Sequence, residues 1–307
     1  MERKTDEFLK RLKVVHEPNQ TEPWVELDYT DYTDLSHFAW FVTTFDNAPQ
    51  LRAAYQPFFF RGQSSAQWHL QPKLVRLLRD VPLERALRYE YDSVRYFYER
   101  AHLFCAALVP ADDNFMEWLS LMQHFSAPTR LLDRTSSFTT ALYFAVCEEP
   151  FDEPGAVWLV QGEPLVRWMR EKYGKSDLAD KDKSRDILSD ADNFVDFGVN
   201  RARPFLDGYD PNRKSERVTA QRGVFTICEK LFVDHATIIG EALLQGHATG
   251  QTLPLWKIVI SPEAKRFFRL YLGKLNITAA TLFPGTDGLG RTITEILRVQ
   301  REAFHGL

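Results

Sequence analysis

The segment Phe58–Ser65, FFFRGQSS, governs how the rest of the chain is read. Three consecutive phenylalanines favour a buried strand, because bulky aromatic side chains fit a pleated, packed surface. The strand runs directly into Arg61–Gly62. Gly62 frees the backbone to turn, or to let a ligand approach closely. An arginine leaving a buried strand beside a glycine is placed to hold a phosphate or carboxylate through its forked donors, or to pair with an acid at the edge of the core.

Further along, Trp118–Ser137 (WLSLMQHFSAPTRLLDRTSS) is the densest polar cluster. Gln123, His124, Thr129, Arg130, Asp133, Arg134, Thr135, Ser136 and Ser137 alternate there with leucines and aromatics. A surface loop needs no such apolar content, and a core segment cannot bury so many polar groups without partners. The combination suits a pocket wall, or a polar network bracing a turn. In a third segment, Arg217–Phe225 (RVTAQRGVF), Gln221 precedes a strand pattern that starts at Gly223. There its side chain either faces a cleft or serves as a structural amide.

Other chemistries find little support. No GxSxG elbow accompanies His124, Asp133 and the nearby serines. The eight histidines are dispersed without HExxH, and Cys105, Cys147 and Cys228 lack CxxC spacing, so no metal is expected. Cys105 falls on an apolar helix stripe and is read as core packing. Gly285–Gly290 (GTDGLG) has the wrong glycine order for a dinucleotide loop and reads as a turn before the last helix.

The 307 residues carry a net charge of −4, which argues against a nonspecific nucleic-acid binder. Lone cysteines fit a reducing compartment, and no stretch approaches the roughly 18 apolar residues of a membrane span. The expectation is a cytoplasmic protein with no membrane or nucleic-acid partner. Apolar periodicity predicts helices within Tyr32–Asn47, over Leu83–Val109, Thr139–Glu148 and Ile293–Phe304, and one opened by Ser261-Pro262-Glu263. Strands are predicted at Ala156–Val160, Gly223–Cys228 and Trp256–Ile260. Lys172–Asp192, together with Arg201–Ser215, reads as an insertion or long surface loop. Strands and helices without regular βαβ alternation favour an α+β fold. The expected organisation is an N-terminal helical region over residues 1–50 and a single mixed domain over 51–307, with an insertion near 170–215.

Taken in order, these segments resemble the FRG domain family, named for its Phe-Arg-Gly motif. That motif is Phe60-Arg61-Gly62 here, extended by Gln63, Leu70-x-Pro72 and Arg76. A second block resembles the pattern QHxxxPTRLLDxT, from Gln123-His124 through Pro128–Asp133 to Thr135, followed by Ala141–Ala145. Gln221-x-Gly223-x-Phe225 and Leu282-Phe283-Pro284 with Asp287-Gly288 complete the set.

The block order also resembles ADP-ribosyltransferases of the Arg–Ser–Glu type. Arg61 matches their arginine, Thr135-Ser136-Ser137 their Ser/Thr motif, and Gln221 falls where they have glutamate. That resemblance implies a split-sheet core with helical additions. It also implies an NAD-dependent mono-ADP-ribosyltransferase that takes NAD as co-substrate and modifies cysteine thiols of a protein acceptor, this chain included. The alternative is a noncatalytic module binding NAD, ADP-ribose or nucleic-acid ends. The implied catalytic residues are Arg61, Ser136 and Gln221. The implied NAD-binding residues are Arg61, Gly62, Gln63, Gln123, His124, Thr129, Arg130, Asp133 and Thr135. Asp133 and Glu216 are the acids at hand to supply the charge that Gln221 lacks.

Overall fold

The computed structural model describes residues 13–19, 21–29, 58–110, 114–212, 214–247 and 255–304. Among the described residues, eight strands form one mixed sheet: β1 (Lys13–His16), β2 (Trp24–Tyr29), β3 (Phe58–Gln63), β4 (Leu131–Thr135), β5 (Gly155–Gln161), β6 (Leu206–Tyr209), β7 (Gly223–Cys228) and β8 (Leu255–Ile260). Their spatial order is β1-β2-β8-β5-β3-β4-β7-β6. Only β2 and β8 run parallel; the other neighbours are antiparallel.

Twelve helices surround the sheet among the described residues: α1 (Lys73–Leu77), α2 (Leu83–Cys105), α3 (Phe115–His124), α4 (Phe138–Val146), α5 (Gly162–Tyr173), α6 (Lys181–Ile187), α7 (Ala191–Asp196), α8 (Glu216–Ala220), α9 (His235–His247), α10 (Pro262–Lys274), α11 (Ala279–Leu282) and α12 (Thr286–Phe304). No helix among the described residues is long and apolar enough to cross a membrane.

Alternation along β5 shows how the layers form. Val157 and Leu159 pack with α4 and α10, while Trp158 and Val160 pack on the other face with α5 and α9. A strand covered on both faces reads as a continuous apolar run, as AVWLV does. Helix α4 lies unusually close to β3. A Cβ on Gly62 would sit 1.7 Å from the Ala141 carbonyl oxygen. Gly62 is therefore required by helix packing, and the close approach expected of a ligand is made by α4 instead.

The sheet is nearly divided. Strand β3 pairs with β5 at six positions but meets β4 only at Phe60–Thr135. Beyond that bridge the strands diverge into a wing of β4, β7 and β6; one face of β4 and β7 packs against α2, α3 and α7, while Leu132, Leu206 and Cys228 on the other face share a core with β5. A cleft opens where β3 and β4 part.

Several expectations need correction. The expected insertion or loop is ordered: α6, α7 and β6 occupy it, burying Leu178, Ile187, Phe194, Phe197, Phe205 and Leu206. Its charges lie on the outer faces of short amphipathic elements, which masked the period. Residues 13–16 and 24–29, within the region expected to be helical, are strands, and β2 extends the main sheet. The helix expected within Tyr32–Asn47 lies outside the described residues. Glycines 288 and 290 lie inside α12, whose first turn takes the place of the expected turn. A Cβ on Gly288 would meet the Phe283 carbonyl oxygen at 2.0 Å, so this glycine lets α12 pack on α11.

Candidate functional site

Arg61 spans the gap between the diverging strands. Its Nη1 donates to the Asp133 main-chain carbonyl at 2.6 Å and lies 3.7 Å from the Asp133 carboxylate. Its Nε is buried without a partner. Burial lowers the Arg61 pKa, with Asp133 pulling the other way. Around it opens a cleft of about 650 Å3, continuous with a lobe of about 200 Å3 that shares Arg61, Arg76, Asp133, Arg134, Arg217 and Gln221. The larger lobe is lined by seven lysines and arginines against four acids, and Trp68 and Phe144 supply aromatic surface.

The opposite wall comes from the C-terminal part of the chain. Phe283 lies between two arginines, with the Arg217 guanidinium 4.9 Å and that of Arg291 4.1 Å from its ring centre. Arg291 also lies 3.4 Å from Glu148 and 3.2 Å from Asp287. Tyr143 donates to Glu295 at 2.5 Å, which ties α4 to α12. Burial pushes the half-exposed Glu148 carboxyl above its ordinary range, against the pull of Arg291, Arg217 and Arg61.

Among residues singled out from the sequence, Arg61, Gly62, Gln63, Asp133, Thr135 and Gln221 line the larger lobe, and Gln123 and His124 the smaller. Several of these are already committed elsewhere. The Gln63 amide accepts from Trp158 Nε1 at 2.8 Å and donates to the His69 carbonyl at 3.1 Å. Gln123 donates to Asp133 at 2.9 Å and accepts from the Thr129 hydroxyl. The Thr135 hydroxyl donates to the Gln221 carbonyl at 2.7 Å. Gln221 itself donates through Nε2 to the Leu282 carbonyl at 3.0 Å, which latches the third sequence block to the fourth. His124 has its pKa lowered, first by burial and then by Arg217.

Thr129, Arg130, Ser136, Ser137 and Glu216 do not join the cleft lining. Ser136 is exposed, and Ser137 caps α4 by accepting from the Thr140 amide. Thr129 is buried beneath the lobe, accepting from the Leu131 amide at 3.1 Å. Arg130 is fully buried in a two-pronged pair with Glu90 and donates to the Glu229 carbonyl at 2.8 Å. Glu216 is exposed on α8.

The sequence reading passed over Glu148, Arg291 and Glu295, and gave Arg134 no role. Glu148 had a usable signal: an acid pair directly after an apolar helix opposes the negative end of the helix dipole. Arg134 occupies the open position of LLDxT, so pattern matching is blind to it. Arg291 and Glu295 reach the cleft only through the packing of α12. Among the described residues no group of three or more His, Cys, Asp or Glu side chains is arranged to hold a metal.

Residues 56–153 match the FRG domain family. That match includes β3, β4 and α4 but none of Arg217, Gln221, Arg291 or Glu295, so the part of the cleft wall that these residues supply lies outside it. No curated protein and no solved structure matches the chain.

Proposed function

We propose that the cleft binds NAD and that the protein transfers its ADP-ribose to a cysteine thiol. The observation that carries this reading is the pair of buried guanidiniums with unpartnered nitrogens, Arg61 and Arg134, on the wall of a cleft large enough for a dinucleotide. Forked donors suit phosphate oxygens, and Trp68 and Phe144 offer faces for the flat rings.

Cleavage breaks the bond between ribose C1′ and the nicotinamide nitrogen. The bonding electrons leave with neutral nicotinamide, and positive charge builds on the ribose. A thiolate sulfur then bonds to C1′, after the thiol has given its proton to solvent or to a carboxylate. Gln221 is poorly placed to stabilise the cation, because its amide is tied to Leu282. Glu148 is the carboxylate in the larger lobe that Arg61 and Arg291 influence, and it takes the role of charge stabiliser. The acceptor thiol belongs to another protein. Burial pushes Cys147 up and Cys228 up to about 12, and Cys105 spends its thiol on the Ala101 carbonyl at 3.2 Å.

A second reading, a noncatalytic NAD or ADP-ribose binder, is favoured by one observation: the position resembling the catalytic glutamate holds a locked amide. Intact-mass spectrometry of a cysteine-bearing acceptor incubated with NAD and the protein separates the two. An added ADP-ribose that survives hydroxylamine but is released by mercuric ion supports thiol transfer. Increments on arginine, glutamate or nucleic acid reject the thiol, and binding without any increment supports the second reading.

A further inference from the structure

We infer that the inner wall of the cleft is a diphosphate subsite whose principal anchor is Arg134, acting with Arg61. The inference rests on reading the cleft as a dinucleotide site, and it names the part of the ligand that the inner wall holds.

Arg134, next to the last residue of β4, is only 3% exposed, yet it lines both lobes. Both terminal nitrogens, Nη1 and Nη2, are buried without a partner. Its one hydrogen bond is long, from Nε to the Thr226 hydroxyl at 3.4 Å. That hydroxyl in turn lies 3.2 Å from His235 Nδ1. Burial, then Arg134 and Arg61, push His235 down to about 3, so the imidazole stays neutral and adds no further positive charge beside Arg134. Asp234 is the opposing charge that reaches it, but its carboxylate faces His69 at 2.7 Å and caps the Ala236 amide at 2.8 Å. Burial, then repulsion from Arg61, pushes Arg134 down to about 9, which leaves it charged at neutral pH.

A buried guanidinium without a counter-ion destabilises the protein that carries it. A second, Arg61, beside it raises that cost. An anion with charge and acceptor oxygens on two adjacent centres meets both forks, whereas a single carboxylate meets one. A diphosphate has that form, whether free, on a nucleoside or within a dinucleotide.

Calorimetric titration of inorganic pyrophosphate, inorganic phosphate, ADP and NAD into wild type, Arg134→Met and Arg134→Lys tests this, together with ligand-free melting curves. Wild type should bind pyrophosphate at least roughly tenfold more tightly than phosphate. Arg134→Met should lose roughly tenfold or more for pyrophosphate, ADP and NAD alike, with an unchanged or higher ligand-free Tm, because a stranded charge has been removed. Arg134→Lys keeps the charge but not the fork, so it should weaken pyrophosphate while melting near wild type; it carries the test if the methionine variant does not fold.

A lowered Tm with unchanged pyrophosphate affinity would make Arg134 a structural residue and overturn the subsite. So would a wild type that does not bind pyrophosphate. If NAD binds wild type and Arg134→Met equally, the subsite fails and the NAD reading survives. Should pyrophosphate depend on Arg134 while NAD fails to bind at all, the subsite stands and the NAD reading falls.

Discussion

Arg130 and Arg134 lie four residues apart on the same run of chain, both all but excluded from solvent, and they live in opposite electrostatic worlds. Arg130 is neutralised. Glu90 from α2 meets its fork with both carboxylate oxygens, and backbone carbonyls take the remaining donor. Burial opposes its charge, yet Glu90 more than offsets that, and its pKa is raised. Arg134 has no such partner, and its pKa falls. The difference separates an arginine that holds two elements together from one that lines the cleft with both terminal nitrogens unpartnered. Sequence alone makes Arg130 look the more functional, because it sits within the PTRLLD motif. The structure reverses that ranking: the motif arginine braces the scaffold, and the unremarked one faces the cleft.

The largest effect should come from breaking the braced pair. Arg130→Met or Glu90→Gln alone strands a buried charge or leaves a fork unmatched, and should cost about 3–5 kcal/mol in urea unfolding. The double variant Glu90→Leu with Arg130→Met should recover much of that loss, since both charges leave together. NAD affinity of the folded fraction should stay at the wild-type value in either case. Lost affinity without lost stability would erase the distinction drawn between the two arginines.

Arg61 falls between the two cases, with one nitrogen engaged and Nε unpartnered. Arg61→Ala should weaken NAD binding by about 2–3 kcal/mol in calorimetry, the scale of charge-assisted bonds to a buried ligand. Its stability should change far less than that of Arg130→Met. The reverse pattern would make Arg61 another brace.

The smallest effect is expected at Gln221. Gln221→Ala removes one latch bond to Leu282 and should cost about 1 kcal/mol of stability. Michaelis constant and turnover should move little. Gln221→Glu should destabilise more, because a carboxylate would face the Leu282 carbonyl with no hydrogen to donate. A Gln221→Glu variant with increased NAD cleavage would return Gln221 to the catalytic position implied by its place in the sequence.

The strands and helices with a clear apolar period were legible: β3, β5, β7, β8, α2 and α4 lie close to where periodicity places them. The charged stretch leading to β6 was not, because α6 and α7 are too short to display a period and bury only one or two side chains each. In the site, the first and second blocks were recognised as parts of one wall. Their individual roles were less readable, since a motif records which residues recur together and not which face bonding partners. Gly62 serves helix packing, Arg130 a salt bridge and Ser137 a helix cap. Glu148 and Arg291 come from chain segments far apart and meet only through the packing of α12 on α4.

The account stands or falls on Glu148 as the carboxylate that stabilises the ribose cation. Its folded pKa is raised, so the protonated form is favoured in the fold. Any stability it contributes is present below the ordinary value near 4.5 and is lost as pH rises through the folded value. Activity runs the other way, because the carboxylate is the working form. The decisive measurement is nicotinamide release from NAD as a function of pH, for wild type and Glu148→Gln, with NAD affinity measured alongside. The account predicts release by wild type that falls on the acid side with a midpoint above the usual carboxylate range. Glu148→Gln should bind NAD about as well but release nicotinamide roughly 100-fold more slowly, without that acid limb. NAD left intact by wild type, or a Glu148→Gln variant with wild-type turnover and the same pH profile, would contradict it.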